Sequence, residues 1–149
     1  MDIQIRQANA DDLPAIHQLV RELAIYEKAE DAFTATLEDY QNDFRDGIFE
    51  SLVATVDGQV VGMMLYYMSY STWKGRMLYL EDFVVNEAFR QMGIGQKLWE
   101  QFLEIARQKG CRLVKWQVLD WNLPAINFYV KNKAIIEREW WNGKIFLVQ

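Results

Sequence analysis

Glu81 and Asp82 stand side by side inside an otherwise apolar run, Leu78-Tyr79-Leu80-Glu81-Asp82-Phe83-Val84-Val85, and Arg90-Gln91-Met92-Gly93-Ile94-Gly95 follows shortly after. A carboxylate in an apolar strand is costly unless it is paired or hydrogen-bonded. Asp82 therefore reads either as half of an ion pair with a nearby Lys or Arg or as part of a site. Glu81 reads as a proton acceptor placed just before the loop. Alternation along a strand puts Glu81 on the face of Phe83 and Val85 and Asp82 on the other, so both acids reach one site only if the strand bulges or ends there. The glycines then let backbone amides approach a ligand, and the start of a helix adds unsatisfied N–H groups and a favourable dipole for a pyrophosphate. No Lys-Ser/Thr follows the second glycine and a third glycine is missing, so this is neither the P-loop nor the full dinucleotide fingerprint. A plain turn is the alternative for the glycines.

A second stretch, Trp121-Asn122-Leu123-Pro124-Ala125-Ile126-Asn127-Phe128-Tyr129, opens the last helix. Asn122 suits its cap. The Tyr129 hydroxyl could protonate a leaving group, or its ring could simply fill a half-buried position. The single histidine, His17, has no companions at metal spacing, and a solvated or capping role fits it better than a ligand role. The single cysteine, Cys111, reads as core filler. It has no thiol partner for an intrachain disulfide, and a Cys–His mechanism lacks its base.

The elements that must position these residues follow from pattern. Ile3 to Gln7 reads as a strand. Leu13, Ile16, Val20 and Leu23 recur at helical spacing behind Asp11, Asp12 and Pro14. Thr36 starts a shorter helix that Gly47 ends. Leu52–Val56, Asp57-Gly58 and Val60–Met68 read as a tight hairpin, and Met77–Val85 as the next strand. A long helix carries Ile94, Leu98, Phe102 and Ile105, Leu113–Leu119 reads as a strand, and Pro124 to Asn132 as a helix. Ile135–Trp141, Asn142-Gly143 and Lys144–Val148 read as a final hairpin. This order predicts an α/β (α+β) mixed sheet of about seven strands, with four helices on its faces, in one domain over residues 1–149.

Composition narrows the class. At 149 residues, 51% hydrophobic and 25% charged, the chain can bury one core. A net charge of −5 is the wrong sign for a general nucleic-acid binder and favours cationic small partners, although simple solubility explains it equally well. No apolar run is long enough to span a bilayer, so no membrane partner is expected. The N-terminal residues lack a signal-peptide core, and a cytoplasmic setting is expected.

With these residues in view, the chain resembles the GNAT superfamily of acetyl-CoA-dependent N-acetyltransferases. Arg90-Gln91-Met92-Gly93-Ile94-Gly95 is similar to its Arg/Gln-x-x-Gly-x-Gly/Ala loop, and the element order matches the acyl-CoA N-acyltransferase fold over the whole chain. Leu23-Ala24 with Tyr26-Glu27, Tyr66-Tyr67 through Tyr70 to Trp73, Leu78 to Phe83, Trp121-Asn122 and Asn127-Phe128-Tyr129 resemble the spermidine/spermine and thialysine acetyltransferase branch. Among the departures from that branch, Ser71-Thr72 stands where polyamine acetylases carry an acid, and Lys133 replaces a glycine at the helix exit.

The resemblance implies acetyl-CoA as cosubstrate and no metal. It implies that Arg90, Gln91, Met92, Gly93, Ile94, Gly95 and Gln96 form the pyrophosphate loop. Phe83, Val84 and Val85 would pair with the pantetheine arm, and Asn122 and Ala125 would flank it. Glu81 would act as base through a water, Tyr129 as acid, and Tyr26, Glu27, Trp73, Glu81 and Asp82 would line the site of a small cationic amine acceptor. It further implies a homodimer. A protein or peptide acetyltransferase, or a catalytically silent CoA-binding regulatory module, are the alternatives.

Overall fold

A computed structural model describes residues 1–148, which pack as two compact units, Met1–Gln117 and Val118 onward. The first unit holds one five-stranded sheet in the order β1-β2-β3-β4-β5. Its strands are β1 (Ile3–Gln7), β2 (Glu50–Val56), β3 (Gln59–Ser71), β4 (Gly75–Val85) and β5 (Leu113–Trp116). The first four pair antiparallel. β5 runs parallel to β4, as the intervening helix α3 (Ile94–Gln108) requires. The β2–β3 turn is built as its sequence predicts: Asp57 and Gly58 have φ of 49° and 85°, the paired positive values of a primed turn.

Each face of the sheet has its own helices. On one lies α1 (Leu13–Tyr26), whose Leu13, Ile16, Leu19 and Val20 pack with Val53, Met63, Leu65 and Val84 of the sheet. Asp12, buried at the start of α1, takes two hydrogen bonds from the Arg6 guanidinium at 2.7 and 2.9 Å and one from the Asn9 N–H. This pair ties α1 to β1 and holds the Asp12 carboxyl below the usual range, chiefly through the Arg6 hydrogen bonds. The short helix α2 (Leu37–Arg45) is capped reciprocally by Thr36 and Asp39. His17 holds the segment before it: its Nε2 lies 2.9 Å from the Ala35 carbonyl, and its ring packs against Phe33 and Tyr40. On the opposite face α3 buries Leu98, Trp99 and Phe102, with Phe102 against Tyr66 and Trp99 against Phe83.

The second unit contains α4 (Leu123–Lys131), with Pro124 in its first turn and Asn122 as its cap. The four helices stand as expected, but the sheet has five strands and not about seven. β5 stops at Trp116, and 135–148 form no strand. Asn142-Gly143 is good turn chemistry, but a lone two-stranded hairpin is marginal without a surface to cover. Trp141, Ile145, Phe146, Leu147 and Val148 are 79–94% exposed, so local turn preference has no packing to support it.

Lys133 adopts a left-handed conformation that favours glycine. Its φ is 70°, its N–H reaches the Val130 carbonyl, and the Ala134 N–H reaches the Tyr129 carbonyl, both at 3.0 Å. These two bonds close α4 as a Schellman motif. A lysine in the left-handed region is strained, so Lys133→Gly is expected to raise stability by about 0.5–1 kcal/mol, read as a higher midpoint in urea.

Candidate active site

The site begins with a defect in strand pairing. Opposite residues in the β3–β4 ladder run Tyr67↔Tyr79, Tyr66↔Leu80, then Leu65↔Asp82. Glu81 is the extra residue of a β-bulge. Tyr67 and Leu65 lie two residues apart on β3 and share a face, so their partners Tyr79 and Asp82 share it too, although three residues separate them. Leu65 belongs to the α1 core, which identifies this as the α1 face. Glu81 turns to the same side, where its Oε1 accepts a hydrogen bond from the Tyr67 hydroxyl at 2.9 Å. The expectation that Glu81 sides with Phe83 is therefore corrected: Phe83 points the other way and stacks on Trp99 of α3. The bulge brings the two acids together.

Glu27, just past the end of α1, joins them. No Lys or Arg forms an ion pair with Glu27, Glu81 or Asp82 among the described residues. The ion-pair alternative for Asp82 is thus set aside. Burial first, then the charges of Glu81 and Glu27, push the Asp82 carboxyl up to about 7. Burial also raises Glu27. Three tyrosines complete the wall. Tyr40 of α2 is pushed up to about 12 by burial and then by Asp82 and Glu81. Tyr67 and Tyr79 are raised too, first by burial, and their rings stack at 5.4 Å. The roles of Tyr40 and Tyr79 were not foreseen. The Tyr67–Tyr79 pair has a partial signal in the aromatic richness of both strands, whereas Tyr40 joins only through the packing of α2.

The glycine loop lies beyond the end of the same strand. Gly93 caps α3 with φ 77°, and a Cβ built there meets nothing within 4 Å. The turn is open at Gly93. Gly95 sits against Phe83, whose ring would be 3.6 Å from an added Cβ. No acid lies in the first turn of α3, so nothing opposes an anion there. Ile94 is buried in the core, which leaves its backbone for the loop. Gln91 holds a positive φ of 64°. Arg90 is engaged within the protein: its Nε donates to the Val85 carbonyl at 3.2 Å, and its guanidinium lies over the Tyr26 ring. The β4–β5 ladder ends at Leu80↔Trp116, while the β3–β4 ladder continues to Gly62↔Val85. The two parallel strands thus part company just where the bulge begins, beside Phe83, Val84 and Val85.

Trp73 lies apart from the trio Glu27, Glu81 and Asp82. It is 84% exposed at the tip of the β3–β4 hairpin. Six residues of strand from Gly75 to Glu81 put that tip roughly 20 Å away. Ser71 is occupied in the same turn, where its hydroxyl accepts from the Lys74 N–H at 3.1 Å. Asn122, Ala125 and Tyr129 belong to the second unit. There the Asn122 side chain accepts from the Ala125 N–H at 3.4 Å, and Tyr129 is buried on α4.

The raised Asp82 carboxyl has a consequence for stability. Between about pH 4 and pH 7 the folded protein keeps a proton there that the unfolded chain gives up, so stability falls as pH rises through this window. Asp82→Asn is expected to raise the thermal midpoint by several degrees at pH 8, roughly 1–3 kcal/mol, and to give no advantage near pH 4. Thermal melts of both proteins across this range check it.

Comparison with known proteins agrees with this architecture. Residues 13–133 match the Acetyltransferase (GNAT) family. The thialysine N-epsilon-acetyltransferase of Bos taurus is 40% identical over 94% of this chain and 89% of its own length. The spermidine/spermine N(1)-acetyltransferase-like protein 1 of Homo sapiens is 38% identical over 89% of this chain and 20% of its own. An aminoglycoside acetyltransferase from an uncultured soil metagenomic sample, solved with trehalose, superposes with a TM-score of 0.81 at 22% identity, covering 98% of this chain and 97% of that one. A sheet whose parallel strands part at an acid-bearing bulge, an open glycine turn leading into a helix, and close relatives over nearly the whole length lead to one conclusion: this chain is an acetyltransferase belonging to the GNAT family.

Proposed function

We propose that the enzyme transfers an acetyl group from acetyl-CoA to a primary amine of a small cationic acceptor, a diamine, a polyamine or a thialysine-like molecule, by direct attack in a ternary complex. The observation that carries this reading is the trio Glu27, Glu81 and Asp82, gathered without a basic partner. Like charges held together in a partly buried place call for a cation. The thialysine and spermidine/spermine names of the relatives point to the same acceptor chemistry.

The residues present fit acetyl-CoA. The open Gly93 turn and an α3 start free of acids suit a pyrophosphate, with backbone amides of Gln91 to Gln96 as its donors. Phe83, Val84 and Val85 lie beyond the end of the β4–β5 ladder and would take the pantetheine arm as an added strand. Asn122 and Ala125 are the residues that the family resemblance gives as flanking it. When bound, acetyl-CoA supplies an activated acyl group as a thioester.

This chain's own residues manage protons and charge. An acceptor aminium with a pKa near 10 must lose a proton before it attacks. Glu81 takes it at Oε, through a water. Asp82 and Glu27 hold the cation, and because Asp82 ionises near neutrality, acceptor affinity rises with pH through about 7. Tyr26 lines the entry, and the distant Trp73 serves only the far end of an extended acceptor. Tyr129 gives a proton to the departing sulfur. A homodimer, which rests on the family resemblance, and a cytoplasmic setting, which rests on a single cysteine that can form no intrachain disulfide, complete the reading.

Tyr129→Phe is expected to lower turnover roughly tenfold to several hundredfold at saturating acetyl-CoA. Unchanged turnover removes Tyr129 from the acid role. Thiol release from acetyl-CoA across diamines, thialysine, lysine and polyamines tests the acceptor class. Intact CoA association with no turnover on any of these amines overturns it.

A further inference from the structure

We infer that Tyr67 is a positioning residue for catalysis, which aims and stabilises the Glu81 carboxylate through its hydroxyl. The inference rests on the reading of Glu81 as the base. Glu81 sits on a bulge and is solvent-exposed, so neither ladder pairing nor packing sets its rotamer. One bond does this instead: the Tyr67 hydroxyl donates to Oε1 at 2.9 Å. An exposed glutamate has several rotamers of similar energy, and a base that wanders loses the benefit of proximity.

Tyr67 is fit for this work because it is itself fixed. It lies half-buried on β3, directly across the ladder from Tyr79. The two rings stack with centroids 5.4 Å apart and planes 24° from parallel. Burial, then the bond to Glu81, hold the phenol far above its usual range, so it stays a donor at every pH where the enzyme would work. The bond occupies Oε1 and leaves Oε2 for the water or the amine. The groups facing Glu81 and its donor are Asp82 and Tyr79 on the same strand, Tyr40 from α2 and Glu27 from the end of α1. A hydroxyl that donates to a carboxylate favours its charged form, and losing the donor withdraws that support. No other described hydrogen bond reaches the Glu81 side chain.

The test is the pH–rate profile of three variants with a turned-over amine. In Tyr67→Phe the stacked ring remains and only the donor goes. We expect kcat to fall roughly three- to thirtyfold. KM for acetyl-CoA should hold, and the acid limb of log kcat should move to higher pH. Fluorotyrosine at position 67, a more acidic phenol and stronger donor, should move the limb the other way; it also carries the test if the phenylalanine variant does not fold. In Glu81→Gln the limb should vanish. An unmoved limb and unchanged kcat on losing the hydroxyl, with Glu81→Gln still erasing the limb, overturns the positioning role and leaves Glu81 as base. A limb that survives Glu81→Gln overturns the base itself, and the inference with it.

Discussion

One unpaired residue in a ladder sets the chemistry of this fold. Without the bulge, strand alternation would send Glu81 and Asp82 to opposite faces, one of them toward α3. With it, Glu81 and Asp82 share the α1 face and meet Glu27. Bulges also increase local twist and bend the bulged strand. The β4–β5 ladder stops at Leu80, one residue before the bulge. The same irregularity that gathers the acids therefore coincides with the opening of the sheet beside Phe83–Val85.

Stability is given up at this place and recovered around it. Asp82 is held partly buried beside two other carboxylates, which raises its proton affinity and destabilises the ionised fold at neutral pH. Such local frustration is expected where a charged ligand completes the structure. The framework that holds it is better satisfied. Arg6 clamps Asp12 at the start of α1, a reciprocal cap begins α2, and His17 ties the segment before α2 to α1. These contacts anchor the start of α1 and hold Tyr40 of α2 against His17.

Much of the fold and part of the site were legible in order and spacing. The amphipathic repeat of α3, the Thr36 cap and the Asp57-Gly58 turn are local codes, and each was realised because tertiary packing agreed with it. The final hairpin shows the limit of such codes. Asn142-Gly143 has the right turn chemistry, but strands need neighbours, and the flanking residues are exposed. Lys133 shows the reverse: a residue poorly suited to a left-handed helix exit adopts it because two backbone bonds hold the chain there.

The sequence by itself determined the alternation of strands and helices, the glycine turn at the head of α3 and the presence of two adjacent acids, because these depend on neighbours a few residues away. Only the tertiary structure decided which way those acids point. That choice turns on a one-residue slip between β3 and β4, and a slip has no local signature: the residues on either side alternate normally, and only cross-strand pairing shows that one of them has no partner. The hydroxyl of Tyr67 over Glu81 and the approach of Tyr40 and Glu27 follow from the same long-range pairing and packing.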